Sequence, residues 1–264
     1  MPPTARHYDR ANDYERVNAF LRRHDKLPNG HVNWCQPRWE YMHFHPLIWD
    51  VDLSVNGVWE EDGEIVGLVH LEHFHGDAYF EFHPHYVHLQ SEMLAWAEAH
   101  LTGGGPDGRF LKLWINDEDA AGQALARAAG YTRTEHGDPM ACFDVPTPFP
   151  SIALPAGFSL RSLADDNDLR KVDRVLWRGF NHGDEPPEDG DGLKGRAFMQ
   201  SAPNYRHDLN IVAVAPEGHF VAYCGMWMEP GAGRCYVEPV ATDPDYRRMG
   251  LGAAAVLEGI RRCA

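Results

Sequence analysis

The sequence predicts an α/β chain of the α+β type built as two units. Three observations carry that reading. Short β-type runs and helical faces alternate in both halves; Pro146, Pro148 and Pro150 interrupt them midway; and the order of elements before that break returns after it. At 264 residues, with 44% apolar and 24% charged positions, the composition is ordinary for a globular chain and leaves room for two domains.

In the first half, Asp13 to His24 carries Tyr14, Val17, Phe20 and Leu21 at helical spacing. Val58 to Glu61 and Ile65 to Leu71 flank Asp62-Gly63, a strong hairpin signal. Ala78 to Phe82 reads as a third strand, ended by Pro84. Leu89 to Leu101 is a helix that stops at Gly103-Gly104-Gly105-Pro106. Phe110 to Ile115 is a further strand, followed by Asn116 or Asp117 as a cap and an alanine-rich helix closed by Gly130.

The run from Val145 to Pro150 cannot continue a helix and suits an extended linker. It sets the expected boundaries: a first domain over 1–145, a linker over 146–156 and a second domain over 157–264. In the second half, Asp165 to Phe180 is a helix with Leu169, Val172, Val175, Leu176 and Phe180 on one side. An acidic loop over 184–192 leads to a helix around Arg196 to Ser201. Three strands follow, Asn210 to Ala215, Phe220 to Met228 and Gly233 to Thr242, with Pro216-Glu217-Gly218 turning the first into the second. Pro84-His85-Tyr86 and Pro244-Asp245-Tyr246 stand 160 positions apart, and that offset lays the helix from Leu89 over the stretch from Met249. An internal duplication with heavily diverged copies is expected.

The balance of 24 Lys+Arg against 39 Asp+Glu, formally −15, repels polyanions and argues against a nucleic-acid or anionic-membrane partner. No apolar run approaches a bilayer span and the first residues lack the apolar core of a signal peptide, so a cytoplasmic protein is expected. The five cysteines are odd in number and scattered without a C-x-x-C pair, against a disulfide framework or a structural zinc site.

The sharpest local signal is Val240-Ala241-Thr242-Asp243-Pro244-Asp245-Tyr246-Arg247-Arg248-Met249-Gly250-Leu251-Gly252, followed by the helical run from Ala253 to Arg262. A strand feeds a turn whose glycines and arginines open a helix, an arrangement that aims backbone N–H groups and the positive end of the helix dipole at phosphate oxygens. Gly250 and Gly252 remove side chains that would block close approach. A dinucleotide fingerprint also fits Gly250-x-Gly252-x-x-Ala255, but it requires an acidic residue about 20 positions further on. Only 12 residues follow Gly252.

Arg247-x-x-Gly250-x-Gly252 after its strand resembles the acyl-CoA signature of the GNAT superfamily of N-acyltransferases, (Arg or Gln)-x-x-Gly-x-(Gly or Ala). The resemblance covers the second half in element order and, without the motif, the first half. It implies two GNAT-like units, each a mixed, mostly antiparallel sheet flanked by helices. It further implies acetyl-CoA as co-substrate and a primary amine of a small molecule or peptide as acceptor. Backbone groups of a bulged strand at Val240, Ala241 and Thr242 would pair with the pantetheine arm; Arg247, Arg248, Met249, Gly250, Leu251, Gly252 and Ala253 would hold the pyrophosphate.

Acetyl transfer needs a proton taken from the ammonium, a stabilised oxyanion and a proton for the leaving thiolate. Glu238 shares strand parity with Val240 and Thr242, which places it on their face as a candidate base; the alternative is a solvated or paired carboxylate beside Pro239. The family's usual acid is a tyrosine on the helix after the next strand, and that strand-helix-strand portion does not follow Cys263-Ala264. The second unit is therefore expected to lack its closing portion, with an exposed edge near Val237 to Val240, and a non-catalytic acyl-CoA binder or sensor, or an inactive fragment, stands as the alternative to an enzyme. In the first copy the offset turns Arg247, Gly250 and Gly252 into Val87, Gln90 and Glu92, and Ala126 stands where the acid tyrosine is expected, so that half should bind no CoA.

Thirteen of the 16 histidines precede residue 150; His73, His75, His83 and His85 are either metal ligands converging across a hairpin or surface residues, and no carboxylate spacing completes a ligand set. Trp34, Trp39, Tyr41, Phe44 and Trp49, with Asn33 and His45, either line a small-molecule pocket or form core. The acidic loop either attracts a cationic amine or is simply solvated.

Overall fold

The computed structural model describes residues 2–24, 34–106, 108–229, 231 and 233–264. The chain packs as two units: Met1–Met42 with Asp50–Pro139, and His43–Trp49 with Met140–Ala264. A seven-residue piece of the first half thus packs with the second unit, where Pro46 lies under Gly195 and the Phe44 ring sits 5.4 Å from Phe198. Asn33 lies outside the described residues.

In the first unit, β1 (Thr4–His7), β2 (Gly57–Glu61), β3 (Glu64–His70) and β4 (Asp77–Phe82) form an antiparallel run, and β7 (Lys112–Trp114) adds to β4 in parallel. Between them β5 (Gly103–Gly105) pairs with β6 (Gly108–Phe110) as a separate ribbon. The expected single strand over Phe110 to Ile115 is thus split, and the glycine run that signalled a helix stop is itself a strand. The β2–β3 hairpin turns on Asp62 and Gly63, at φ 50 and 84, the double positive-φ geometry that Asp-Gly favours. Helix α1 (Arg10–His24) begins three residues before the expected Asp13: Asp9 accepts from the Ala11 N–H at 3.0 Å, while Asp13 is held by Arg6 at 2.6 Å. Helix α2 (Gln36–His43) buries Trp39 and Tyr41, so these aromatics are core; Phe44 and Trp49 belong to the other unit, and the group lines no single pocket. Helix α3 (Gln90–His100) covers the sheet, and α4 (Ala120–Ala128) is capped by Asp119, which accepts from the Gly122 N–H at 2.9 Å; neither Asn116 nor Asp117 caps it.

In the second unit β8 (Ser159–Ser162), β9 (Ile211–Val214), β10 (Phe220–Met228) and β11 (Cys235–Thr242) form a sheet in the order β11-β10-β9-β8, every described pair antiparallel. Helix α5 (Leu169–Gly179) buries Val172, Val175 and Leu176 against Val212, Tyr223 and Ala241 on one face. Helix α7 (Leu251–Cys263) buries Ala255 and Ile260 against Ile211, Cys224 and Met226 on the other. Helix α6 (Asp191–Gln200) packs beside α5. Asp168 caps α5 through the Arg170 and Lys171 N–H groups, which starts the helix four residues later than the expected Asp165, at its first apolar residue. No helix among the described residues is long and apolar enough to cross a membrane.

The 160-residue offset is visible in three dimensions. β4 and β11 both end at a capping side chain, His83 and Asp243, that accepts from the backbone N–H two residues on, at 3.1 Å in each case. A 3-10 turn beginning with proline follows in both, and then the helix, α3 or α7.

Candidate active site

The site is the turn from β11 into α7. Asp243 is 1% exposed and fixes the start of the turn through Asp245. Arg248 adopts φ 62 and Gly250 φ 82, so the chain turns twice through the left-handed region before α7 begins. Gly250 is the N-cap and supplies no side-chain acceptor, which leaves the first-turn N–H groups of α7 without a side-chain cap. A Cβ on Gly252 would stand 2.6 Å from Thr242 Oγ1; only glycine lets the helix start lie this close to the end of β11. The result is an open cleft of about 240 Å³ between Thr242, Tyr246, Arg247 and the first turn of α7.

Arginines hold the turn from behind. Arg178, near the end of α5, donates to Asp243 at 2.7 and 3.1 Å, to Asp245 at 2.7 Å and to the Asp184 carboxylate at 3.1 Å. Burial alone would push the Asp243 carboxyl up; the Arg178 hydrogen bonds, the Asp245 N–H and the nearby Arg174 together bring it below the usual carboxylate range. Its partner's guanidinium is raised above an ordinary arginine, chiefly by the hydrogen bond to Asp243. Arg247 turns its guanidinium onto the protein, donating to Thr242 O at 3.2 Å, Gly179 O at 2.9 Å and Asn181 Oδ1 at 2.8 Å.

The residues singled out by sequence divide by role. Arg247, Arg248, Met249, Gly250 and Ala253 are exposed at the turn, and Val240 is 40% exposed on the edge strand. The side chains of Ala241 and Leu251 are core, packed on the α5 face and under α7 respectively. Thr242 and Gly252 meet at the neck of the cleft.

Glu238 requires a correction in its orientation. Met226 pairs with Val237 while Cys224 pairs with Val240, so three steps on β11 match two on β10 and the strand bulges at Glu238-Pro239. The extra residue breaks the period of two. Glu238 shares its face with Tyr236, opposite Trp227, and not with Val240 and Thr242. Gly225 makes the room, since a Cβ there would lie 2.6 Å from Glu238 O. The Tyr236 hydroxyl donates to the Glu238 carboxylate, and Trp227 Nε1 donates to Glu238 O at 2.9 Å. Tyr236, Arg178 and Gly225 escaped the sequence reading; Tyr236-x-Glu238 at strand spacing is the signal that would have found the first.

Part of the acidic loop is already neutralised, Glu185 by Arg174 at 2.8 Å and Asp191 by Lys194 at 2.9 Å. In the first unit, Gln90 is buried where α3 begins and donates to Asp119 at 2.6 Å, while Val87 and Glu92 face solvent. His83 and His45 act as turn caps, accepting from His85 N and Leu47 N. Among the described residues no group of three His, Cys, Asp or Glu side chains is gathered as a metal site.

A bulged edge strand thus feeds a glycine-containing turn that opens a helix. Residues 171–264 match the model of the acetyltransferase (GNAT) family. Among curated proteins the chain is 28% identical over 165 residues to a mycothiol acetyltransferase of Kineococcus radiotolerans, covering 59% of this chain and 50% of that protein. The chain thus spans about half the length of this relative. Two solved structures share the fold over nearly the whole chain. A GCN5-related N-acetyltransferase from Sphaerobacter thermophilus is 17% identical with a TM-score of 0.56, covering 98% of this chain and 83% of its own. A tandem GNAT protein from the clavulanic acid biosynthesis pathway is 17% identical with a TM-score of 0.57, covering 98% and 85%.

Proposed function

We propose that the chain is a tandem GNAT-like N-acetyltransferase whose second unit takes acetyl-CoA as donor and a primary amine of a small molecule or peptide as acceptor. The proposed division is a degenerate first domain over 1–145, a linker over 146–156 and the donor-binding domain over 157–264. The observation that carries this reading is the β11–α7 turn, with Gly252 against Thr242 and an N-terminus of α7 free of side-chain capping.

In this reading the N–H groups from Arg248 to Ala253 hold the pyrophosphate, and the exposed edge at Val240 to Thr242 pairs with the pantetheine arm. The donor supplies an acetyl thioester; the chain's own work is to orient it and to manage protons. Glu238, reached from the α5 face, takes the proton of the acceptor ammonium directly or through water. The Tyr236 hydrogen bond holds that carboxylate in one orientation.

The test is thermal shift with acetyl-CoA on the native chain and on G250E/G252E, followed by release of free CoA thiol with a panel of amino sugars, polyamines and peptides. A shift lost in the double variant, with amine-dependent thiol release lost in Glu238→Gln, supports the reading. A shift with no turnover on any amine supports the binder or sensor instead, and no shift with native chain overturns both.

A further inference from the structure

Two of the scattered cysteines meet in the second unit. Cys235 is the first residue of β11 and Cys263 the last of α7, 28 positions apart, and their thiols are in hydrogen-bonding contact. Both are half-buried and pack against one apolar cluster that includes Ile211, Cys224 and Ile260. All five cysteines are free thiols. The others differ in setting: Cys224 is fully buried, Cys142 is exposed in an irregular segment, and Cys35 is in the first unit.

We propose that Cys235 and Cys263 are a reversible dithiol–disulfide pair, oxidised by a low-molecular-weight disulfide, which fastens the start of β11 to the end of α7. The inference stands apart from acetyl transfer and would survive its failure. Contact with Cys263 brings the Cys235 thiol down to about 7 against the opposing effect of burial, while the Cys263 thiol is pushed up by the same contact and by burial. Cys235 is therefore the attacking thiolate. It displaces one thiolate from the small disulfide and forms a mixed disulfide; Cys263 then gives its proton to solvent, attacks Cys235 Sγ and expels the second thiolate. One small disulfide is reduced to two thiols as the protein loses two hydrogens. Burial pushes the Cys224 thiol up to about 12, which keeps that neighbour out of the exchange.

The position of Cys263 makes closure feasible. It borders the same apolar cluster as Cys235, the two lying on α7 and β11, which pack directly on each other. The ring that closes would contain the bulge at Glu238-Pro239, the Asp243 turn and all of α7, so one covalent bond would restrain both elements that frame the cleft.

The experiment treats the native chain with oxidised glutathione under non-denaturing conditions, followed by peptide mapping and thermal melting. The expected result is a Cys235–Cys263 cross-link, reversed by dithiothreitol and accompanied by a Tm raised by a few degrees. Cys263→Ser should convert the cross-link into a stable glutathione adduct on Cys235, and Cys142→Ser should leave it unchanged. Glutathione adducts on both cysteines of the native chain without a cross-link, unreactive thiols at both, or a cross-link through Cys142, would overturn the proposal.

Discussion

The same strand-turn-helix passage occurs in both units, and it is open in one and filled in the other. In the second unit Gly250 and Gly252 leave a cleft of about 240 Å³ at the start of α7. In the first, Gln90 takes the place of Gly250 and spends its amide on buried Asp119. The caps are alike, the 3-10 turns are alike, and the helices start in register. The turn folds each unit, while the glycines at its mouth are present in the second unit alone among these two passages.

The strongest way to break this comparison is to give the second unit the first unit's side chain. Gly252→Glu drives a side chain into Thr242 Oγ1 and sets a carboxylate where anionic phosphate is proposed to bind, and should abolish the acetyl-CoA thermal shift, a stabilisation of about 2.7 kcal/mol at 100-fold excess over Kd. Next in size is the arginine clamp on the β11–α7 turn. Arg178→Met strips Asp243 of its bidentate partner while the carboxylate stays 2% exposed, and urea denaturation should show a loss of about 3 kcal/mol.

The first unit has its own sensitive group. His70 is fully buried and lowered to about 4, chiefly by desolvation, with its hydrogen bond to Leu71 O opposing. Because the folded pKa lies below that of the unfolded chain, this contribution is complete above pH 6.5, declines as pH falls and is gone below pH 4, at a cost of about 3 kcal/mol. Urea midpoints followed by tryptophan fluorescence across that range should move accordingly, and His70→Gln should flatten the profile. The smallest effect is Gln90→Leu, which removes one hydrogen bond from Asp119 and leaves its bond to Gly122 N intact; a loss of about 1 kcal/mol is expected in the same denaturation assay.

Much of this architecture was legible because local chemistry and global fold agree. Asp62-Gly63 can hardly be anything but a tight hairpin, and the apolar face of α5 is unambiguous. The 160-residue offset could be read from one Pro-x-Tyr pair because proline fixes the turn in both copies. What escaped depended on partners distant in sequence. The face of Glu238 could not be counted from Thr242, because one extra residue at the bulge inverts the parity and only Gly225 on the neighbouring strand makes room for it. His43–Trp49 read as first-half sequence, yet their packing is with α6.

Arg178 carries a consequence of its own. Its single guanidinium serves as counter-ion to Asp243 and Asp245 on the β11–α7 turn and to Asp184 at the head of the acidic loop. Asp184 is bathed in solvent and lies outside the turn that Asp243 and Asp245 belong to, so its contact can be lost without moving the turn. A cation that drew Asp184 aside would hand the whole of Arg178's charge to the turn. An anion held at the turn and a cation held at the loop would then be coupled, each raising the other's affinity by the same factor.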